Sequence, residues 1–374
     1  MLLVSFWQSY WQNNWHYLVN QEGFNMKQNR TVNRQITLAS RPHGAPIPAN
    51  FNLVESSLPI AGDNEMLLRT IYLSLDPYMR GRMSDAKSYV DPVAINEVMV
   101  GGSICRVEAS NLEGFEKGDL VVAFGGWQDY SISNGEGVIK LDSAMTNPSY
   151  GLGVLGMPGL TAYMGLMDIG APKAGETLVV AAATGAVGSL VGQIGKLQGC
   201  KVVGIAGSKE KCDYAVNELG FDACLNHNDL NLAEQLATVC DSGIDIYYEN
   251  VGGKVFDAVL PLLNSKARIP LCGLIAQYNA TDLPPGPDRL GLLMGNLLVK
   301  RIKMQGFIVF DDYGHRYGEF QQAMVPWLVS GQIKYKEDKV IGLENAVSAF
   351  IGLLQGENFG KLVVQVGPEH LDTE

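Results

Sequence analysis

The stretch TLVVAAATGAVGSLVGQIGKL, residues 177–197, decides the fold. A β-favouring apolar run passes through a glycine-containing turn into apolar residues at helical spacing, the strand-to-helix junction where dinucleotide folds bind pyrophosphate. Ala183-x-Gly185-x-x-Gly188 occupies that junction. Gly185 lets a ligand approach the backbone, and Gly188 lets the helix pack closely on the strand. The turn through Ala186 and Val187 presents unpaired N–H groups and the positive end of the helix dipole to phosphate. Ala183 replaces the usual first glycine, which weakens the motif, and a lone small-x-Gly-x-x-Gly also occurs as plain helix packing. Its place in a longer alternation selects the nucleotide reading.

That alternation continues downstream. Apolar runs at 177–182, 201–206, 223–226, 244–250, 267–273 and 302–310 are separated by stretches that read as helix, with a further helix expected at 314–330. Six such runs predict a doubly wound parallel sheet of the Rossmann type. Pro270 falls inside the fifth run, so its nitrogen must face a gap or bulge. Upstream, from about Asn29 to Ile139, short β-favouring runs such as MLLRTIYLSL and DLVVAF are punctuated by Gly, Pro, Asn and Asp, which predicts a compact β-rich half. From Asp338 to Gly367 the chain returns to short β runs, including KLVVQV at 361–366, and is expected to rejoin that half. No internal repeat or low-complexity tract is present; LPPGPD at 283–288 reads as a loop that carries contacts or simply connects elements.

The end of the second strand bears on the nucleotide. An NAD enzyme places Asp or Glu about 20 residues past the motif to accept hydrogen bonds from the ribose hydroxyls. Here the chain reads AGSKEK, with Ser208, Lys209 and Lys211 where a carboxylate would repel a 2′-phosphate. NADPH is therefore expected over NADH; the competing reading is that one or both lysines belong to a solvated helix start.

Composition closes off other classes. With 374 residues, 47% hydrophobic and 18% charged, the chain is long enough for two packed domains and too apolar for wholesale disorder. Its net charge of −11 repels polyanions, so nucleic acid is not expected as a partner. The six cysteines are widely spaced and form no Cys-x-x-Cys, which fits a reducing cytoplasm. The five histidines are equally dispersed, so no metal site is expected. No apolar window is long enough to span a bilayer. Residues 1–25 hold three of the five Trp and no Lys or Arg, unlike a secretory signal. Trp7, Trp11 and Trp15 are spaced as an interfacial anchor would be. Because Met26 opens a stretch that reads as an ordinary globular protein, the leader is read instead as an upstream translation artefact or a disordered tail.

The motifs SLDPYMRGRM at 74–83, GMPGLTAY at 156–163, YYENVGG at 247–253, CGLIAQYN at 272–279 and GENFGKLVVQV at 356–366, with the turn and AGSKEK, are specific together. From Met26 to the C-terminus the chain resembles the zinc-independent branch of the medium-chain dehydrogenase/reductases, which holds the prostaglandin reductases, leukotriene B4 12-hydroxydehydrogenase and the bacterial NADPH-dependent curcumin/dihydrocurcumin reductases. The resemblance implies a GroES-like β-rich catalytic domain at 26–154 and 338–374, interrupted by a Rossmann domain at 155–337, with the active cleft between them and a homodimer as the assembly. Gly101-Gly102-Ser103 stands where zinc-dependent relatives carry Gly-His-Glu. By position, the resemblance assigns NADPH contacts to Gly185, Ala186, Val187, Gly188, Lys211, Asn250, Cys272, Gly273 and onward to Tyr278, Phe307, Ile308, Val309 and Asn358. His227 replaces a tyrosine that touches the 2′-phosphate in many relatives; an imidazole can serve there as donor.

The activity so implied is reduction of the carbon–carbon double bond of an α,β-unsaturated ketone or aldehyde, with a small apolar substrate. Negative charge then builds on the carbonyl oxygen as an enolate, and a hydroxyl donor must stand where it develops. Tyr278, just past the fifth strand, is the first candidate, matching the tyrosine assigned this role in related double-bond reductases; the alternative is a pocket wall. Tyr78 is the second, lining the cleft or packing in the interior. Arg80 and Arg82 meet a polar substrate or, as is more common, form surface ion pairs. Two other functions stay open: a quinone reductase of the same architecture, and a non-catalytic NADPH-binding sensor or structural protein.

Overall fold

A computed structural model describes residues 32–142, 145–283 and 286–369. The leader at 1–25 and Pro284 and Pro285 of the Pro-rich loop lie outside the described residues. Six parallel strands form one sheet: β1 (Thr177–Ala181), β2 (Lys201–Ala206), β3 (Ala223–Asn226), β4 (Ile244–Tyr248), β5 (Leu263–Leu271) and β6 (Lys303–Gly306). Their spatial order is β3-β2-β1-β4-β5-β6. The chain winds outward from β1 in one direction and from β4 in the other, so the crevice between these strands is open at their C-terminal ends, where doubly wound sheets bind ligands.

These strands read as nearly unbroken apolar runs because both sheet faces are covered. Leu178, Val180 and Val202 enter one buried cluster, and Val179, Ala181, Val203 and Ile205 enter the other. Helix α1 (Gly188–Leu197) and helix α2 (Lys209–Asn217) follow β1 and β2. Pro270 is accommodated where a break was expected. Its carbonyl accepts from Glu249 N–H at 3.0 Å, so its nitrogen also faces β4, on the side where regular pairing shifts register between Ile244 and Ile246.

The sixth strand is shorter than the apolar run 302–310 suggested. It ends at Gly306, and Val309–Tyr313 turns into helix. At this change of direction Asp312 accepts the Ile308 N–H at 2.9 Å, a bond that apolar periodicity does not register. The following helix spans Tyr317–Val329.

A second sheet draws on both ends of the chain. Met66–Ser74, Ser103–Ser110, Leu120–Ala123 and Ile139–Lys140 pair in succession, and Tyr130–Ser133 also joins Met66–Ser74. Lys361–Gln365 pairs antiparallel to Met66–Ser74, and Glu337–Ile341 lies parallel beside it. At this junction Lys361, 1% exposed, donates to Asp76 Oδ1 at 2.9 Å and to the Leu75 carbonyl at 2.8 Å. Asp76 also accepts from the Ser74 hydroxyl. Among the described residues no helix is long and apolar enough to cross a membrane.

Candidate active site

The site begins at the turn after β1. Ala182 takes a positive φ of 53°, a conformation that costs a residue with a Cβ about 1 kcal/mol or more. The kink lets Ala183 N–H reach Ile205 O at 3.0 Å and Gly185 N–H return to Ala182 O at 3.0 Å. A Cβ on Gly188 would be driven into that same Ala182 carbonyl, 2.9 Å from its carbon, so α1 starts against the end of the strand only as glycine. A Cβ on Gly185 would meet one atom, Ala182 O, at 3.3 Å. Gly185, Ala186 and Val187 are half-buried, whereas Gly188 is buried. Ser189 N–H is taken by Gly185 O at 3.1 Å and Leu190 N–H by Val187 O at 3.1 Å, so the backbone that the turn offers a ligand is that of Ala186, Val187 and Gly188, at the positive end of the helix.

At the end of β2, Ser208 caps α2 and its Oγ accepts Lys211 N–H at 3.2 Å. The two lysines part company. Lys209, its side chain 85% exposed, pairs with Asp213 at 2.5 Å on the solvated face. Lys211 instead reaches the return segment and donates to Gly356 O at 2.6 Å, and partial burial holds its pKa below the usual lysine value. Across from it, His227 anchors its N–H on Ala206 O at 2.9 Å and leaves a buried Nδ1 with no partner. Its imidazole is pushed below its ordinary pKa first by burial, then by the charges of Lys254 and Lys211. A buried ring nitrogen without a partner among lysines fits a phosphate oxygen as its missing neighbour.

At the end of β4, Asn250 donates to Ala181 O at 2.8 Å and ties this strand to the start of the turn. Glu249, fully buried, accepts from Val251 N–H at 2.6 Å and Gly252 N–H at 2.9 Å. Burial raises its carboxyl pKa while those bonds pull it back. The Glu249 carbonyl takes N–H groups from Cys272 at 3.0 Å and Gly273 at 3.2 Å, fixing the exit of β5. Burial pushes the Cys272 thiol up to about 12, which leaves it inert as a nucleophile. Asn358 donates to Gly360 O at 2.8 Å, and Gly360 bridges to Gly185, so the return segment reaches the turn.

The carbonyl-side residues are more scattered. Tyr278 follows the turn Ile275–Gln277, half-buried, its phenol raised above the usual value by burial. Tyr78 lines a small hollow of about 70 Å³, and burial raises its phenol too. The hollow is walled by Ser74, Asp76, Phe124, Phe310 and Tyr317 as well as Tyr78, and Tyr278 is not among its lining residues. Phe124 and Phe310 meet edge to face with centroids 6.1 Å apart. Sequence reasoning missed these two, because Phe310 was absorbed into an overlong strand and Phe124 ends an ordinary β run. Glu249 was likewise missed, although a charged residue closing an apolar run signals it. Phe307 contributes its ring to the core, against Tyr313 at 6.0 Å, so only its backbone remains for a ligand. Ile308 and Val309 carry the chain from β6 into the helix with Phe310.

Arg80 corrects an expectation. It is 6% exposed and makes neither a surface ion pair nor an opening to substrate: Nε donates to Asn279 Oδ1 at 3.1 Å and Nη2 to Gly44 O at 2.8 Å. The guanidinium fork therefore joins the segment carrying Tyr78 to the one carrying Tyr278. Among the described residues no group of three or more His, Cys, Asp or Glu is placed to hold a metal ion.

A doubly wound sheet with a phosphate-ready turn, beside a β-rich sheet with an aromatic hollow, defines a nucleotide-dependent oxidoreductase. Residues 34–141 match the family described as "N-terminal domain of oxidoreductase" and residues 186–330 the family described as "Zinc-binding dehydrogenase". The chain is 62% identical to the NADPH-dependent curcumin reductase of Escherichia coli over 91% of its own length and 99% of that protein's. It is 41% identical to prostaglandin reductase 1 of Rattus norvegicus, over 88% of this chain and 98% of the other. It superposes on the crystal structure of CurA in complex with NADPH from Vibrio vulnificus with a TM-score of 0.88 and 67% identity, covering 90% of this chain and 99% of that one. The chain belongs to the medium-chain dehydrogenase/reductase family, in the branch of the curcumin and prostaglandin reductases.

The two glycines of the turn separate folding from binding. Gly188→Ala is expected to lose about 2 kcal/mol or more of stability, since rigid backbone opposes the new methyl, while Gly185→Ala costs about 1 kcal/mol or less. Denaturant unfolding of the two variants checks this; equal losses would show that the turn does not depend on the close approach.

Proposed function

We propose that the protein reduces the carbon–carbon double bond of α,β-unsaturated ketones and aldehydes with NADPH. The observation that carries the reading is the group Ser208, Lys211 and His227 at the ends of β2 and β3, where His227 keeps a buried ring nitrogen without a partner. The relatives named for NADPH and for curcumin or prostaglandin reduction support it. In this reading Gly185, Ala186, Val187 and Gly188 hold the pyrophosphate. Lys211 and His227 hold the 2′-phosphate, Lys211 exchanging the Gly356 carbonyl for a stronger charged partner. Asn250, Cys272, Gly273, Phe307, Ile308, Val309 and Asn358 form the rest of the cofactor wall.

NADPH, when bound, supplies the hydride. The protein's part is to orient and to stabilise charge. Phe124, Phe310 and Tyr317 present apolar surface to the substrate. Tyr278 donates its hydroxyl proton as a hydrogen bond to the oxygen on which enolate charge develops. Its raised pKa keeps that proton in place through neutral pH, which suits a hydrogen-bond donor better than a rapid acid. Tyr78, in the hollow, is the second donor.

The same reading takes 26–154 with 338–374 as the catalytic domain and 155–337 as the cofactor domain. It includes cytoplasmic action and a homodimer. The unpaired outer edge of β6 and the helix Leu290–Lys300, where Leu298 is 78% and Val299 77% exposed, support self-association.

Three measurements test it. With NADPH deuterated at the transferable position, the saturated ketone product should carry label on the β-carbon; label elsewhere, or no product from any of a panel of enones, defeats the proposal. Lys211→Ala should raise KM for NADPH about tenfold or more with little change for NADH, whereas equal effects would remove the lysine from phosphate recognition. Tyr278→Phe should lower kcat about 10²-fold without altering KM for NADPH, and an unchanged kcat would make this tyrosine a wall.

A further inference from the structure

The hydroxyl of Tyr278 stands beside a residue that has no side chain. A Cβ on Gly273 would lie 3.0 Å from that oxygen and 3.7 Å from the Asn250 carbonyl, so the phenol rests near bare backbone at the exit of β5. That floor is well tied. Cys272 and Gly273 give their N–H groups to Glu249 O, and Ile275 and Ala276 give theirs to Asn250 O at 3.2 Å and Val251 O at 3.0 Å. The backbone that carries Tyr278 is held less firmly. Tyr278 N–H reaches Ile275 O at 3.3 Å, Ala280 N–H reaches Gln277 O at 3.0 Å, and Gln277 and residues 280–283 are exposed. A surface turn with so few bonds lets the ring swing unless another segment fixes it.

Arg80 is that fixture. It sits in the short turn Met79–Arg82, 6% exposed, with Nε donating to Asn279 Oδ1 at 3.1 Å and Nη2 to Gly44 O at 2.8 Å. The Gly44 end is itself anchored, because Arg41 Nη1 donates to Met83 O at 3.0 Å and ties the start of that loop to the same turn. Gly44 takes a φ of 81°, and a Cβ there would stand 3.7 Å from Thr281 Cγ2 and 3.9 Å from Asn279 O, so the loop packs on the residues just past Tyr278. Both acceptors of the guanidinium are neutral. Among the described residues Arg80 enters no ion pair, and burial lowers its pKa with no carboxylate to offset it. A buried cation without a counter-charge is a costly tether, but its planar fork fixes two acceptors in direction as well as distance. The tether ends one residue from Tyr278.

We propose that Arg80 is a positioning residue for the reduction: through Asn279 it holds the Tyr278 hydroxyl beside Gly273, where that hydroxyl meets the substrate oxygen. The inference rests on the reading of Tyr278 as the donor given above. Arg80 touches neither substrate nor cofactor in this scheme. Its effect is one of orientation, since a hydrogen bond to a developing oxyanion weakens steeply once the donor leaves its line. Drift of the ring is therefore felt in the barrier and not in cofactor binding. Loss of the clamp acts on kcat, and it has nothing to act on when the hydroxyl is absent.

The test compares Asn279→Ala, Asn279→Asp and Arg80→Gln in the full-length protein, alone and combined with Tyr278→Phe. It uses steady-state kinetics with NADPH and an enone, and amide hydrogen exchange over residues 277–283. Asn279 is half-buried on the loop, so its variants keep the interior intact should Arg80→Gln fail to fold. Asn279→Ala, and Arg80→Gln where folded, should lower kcat about tenfold with KM for NADPH unchanged, and should speed exchange in the loop. Asn279→Asp offers Arg80 a charged acceptor and should keep kcat within about twofold and the loop protected. In the Tyr278→Phe background Asn279→Ala should remove nothing further. An unchanged kcat or unchanged exchange in Asn279→Ala, an equal loss in Asn279→Asp, or losses that multiply with Tyr278→Phe overturns the proposal. If Tyr278→Phe alone leaves kcat intact, the reading of the tyrosine fails and takes this role of Arg80 with it. If that variant is slow and Asn279→Ala is not, the clamp alone fails.

Discussion

The carbonyl of Ala182 and the bare Cα of Gly188 share a space that admits no side chain. This contact forces α1 to begin on the very end of β1, and it is bought with a left-handed alanine at 182. Everything in the candidate site refers back to it. The turn and the helix start thus stand at the C-terminal edge of the sheet, at the crevice where the strand order reverses. Asn250 reaches back to Ala181 from β4, and Gly360 bridges to Gly185 from the end of the chain.

A second constraint fixes the return strand within the β-rich sheet. Lys361 carries its charge into the interior and meets Asp76, which leads into the turn bearing Tyr78. A buried ion pair of this kind is a poor source of net stability, because desolvation consumes much of the Coulombic gain, yet it is intolerant of losing one partner. It makes the return strand specific for its place beside Ser74. Arg80 acts similarly one turn later, holding Asn279 and Gly44 and so relating the two candidate tyrosines through one guanidinium.

The strands of the nucleotide-binding sheet were legible because both faces are buried, and burial on both faces writes itself as an uninterrupted apolar run. The same signal overran at the sixth strand. Phe307, Ile308, Val309 and Phe310 are as apolar as a strand requires, and only Asp312, reaching back to the Ile308 N–H, shows that the chain has turned. Lys209 and Lys211 were indistinguishable as letters. Two residues apart at a helix start, they point to different sides, one to Asp213 and the other to Gly356. Arg80 was read as meeting a polar substrate or, more commonly for arginine, forming a surface ion pair; its burial depends on partners from residues 44 and 279, remote in sequence.

Sequence alone determined the class of sheet, the phosphate-ready turn and the basic character of the second strand's end, since these rest on local periodicity, on glycine's missing Cβ and on the identity of a few adjacent residues. Tertiary structure decided that Lys209 pairs with Asp213 while Lys211 reaches Gly356, that His227 leaves a nitrogen unpaired, and that Phe124 and Phe310 close on one hollow. Each of these depends on side-chain direction and on contacts between segments distant along the chain. A one-dimensional pattern lists the groups available for such contacts, and only packing in three dimensions selects among them.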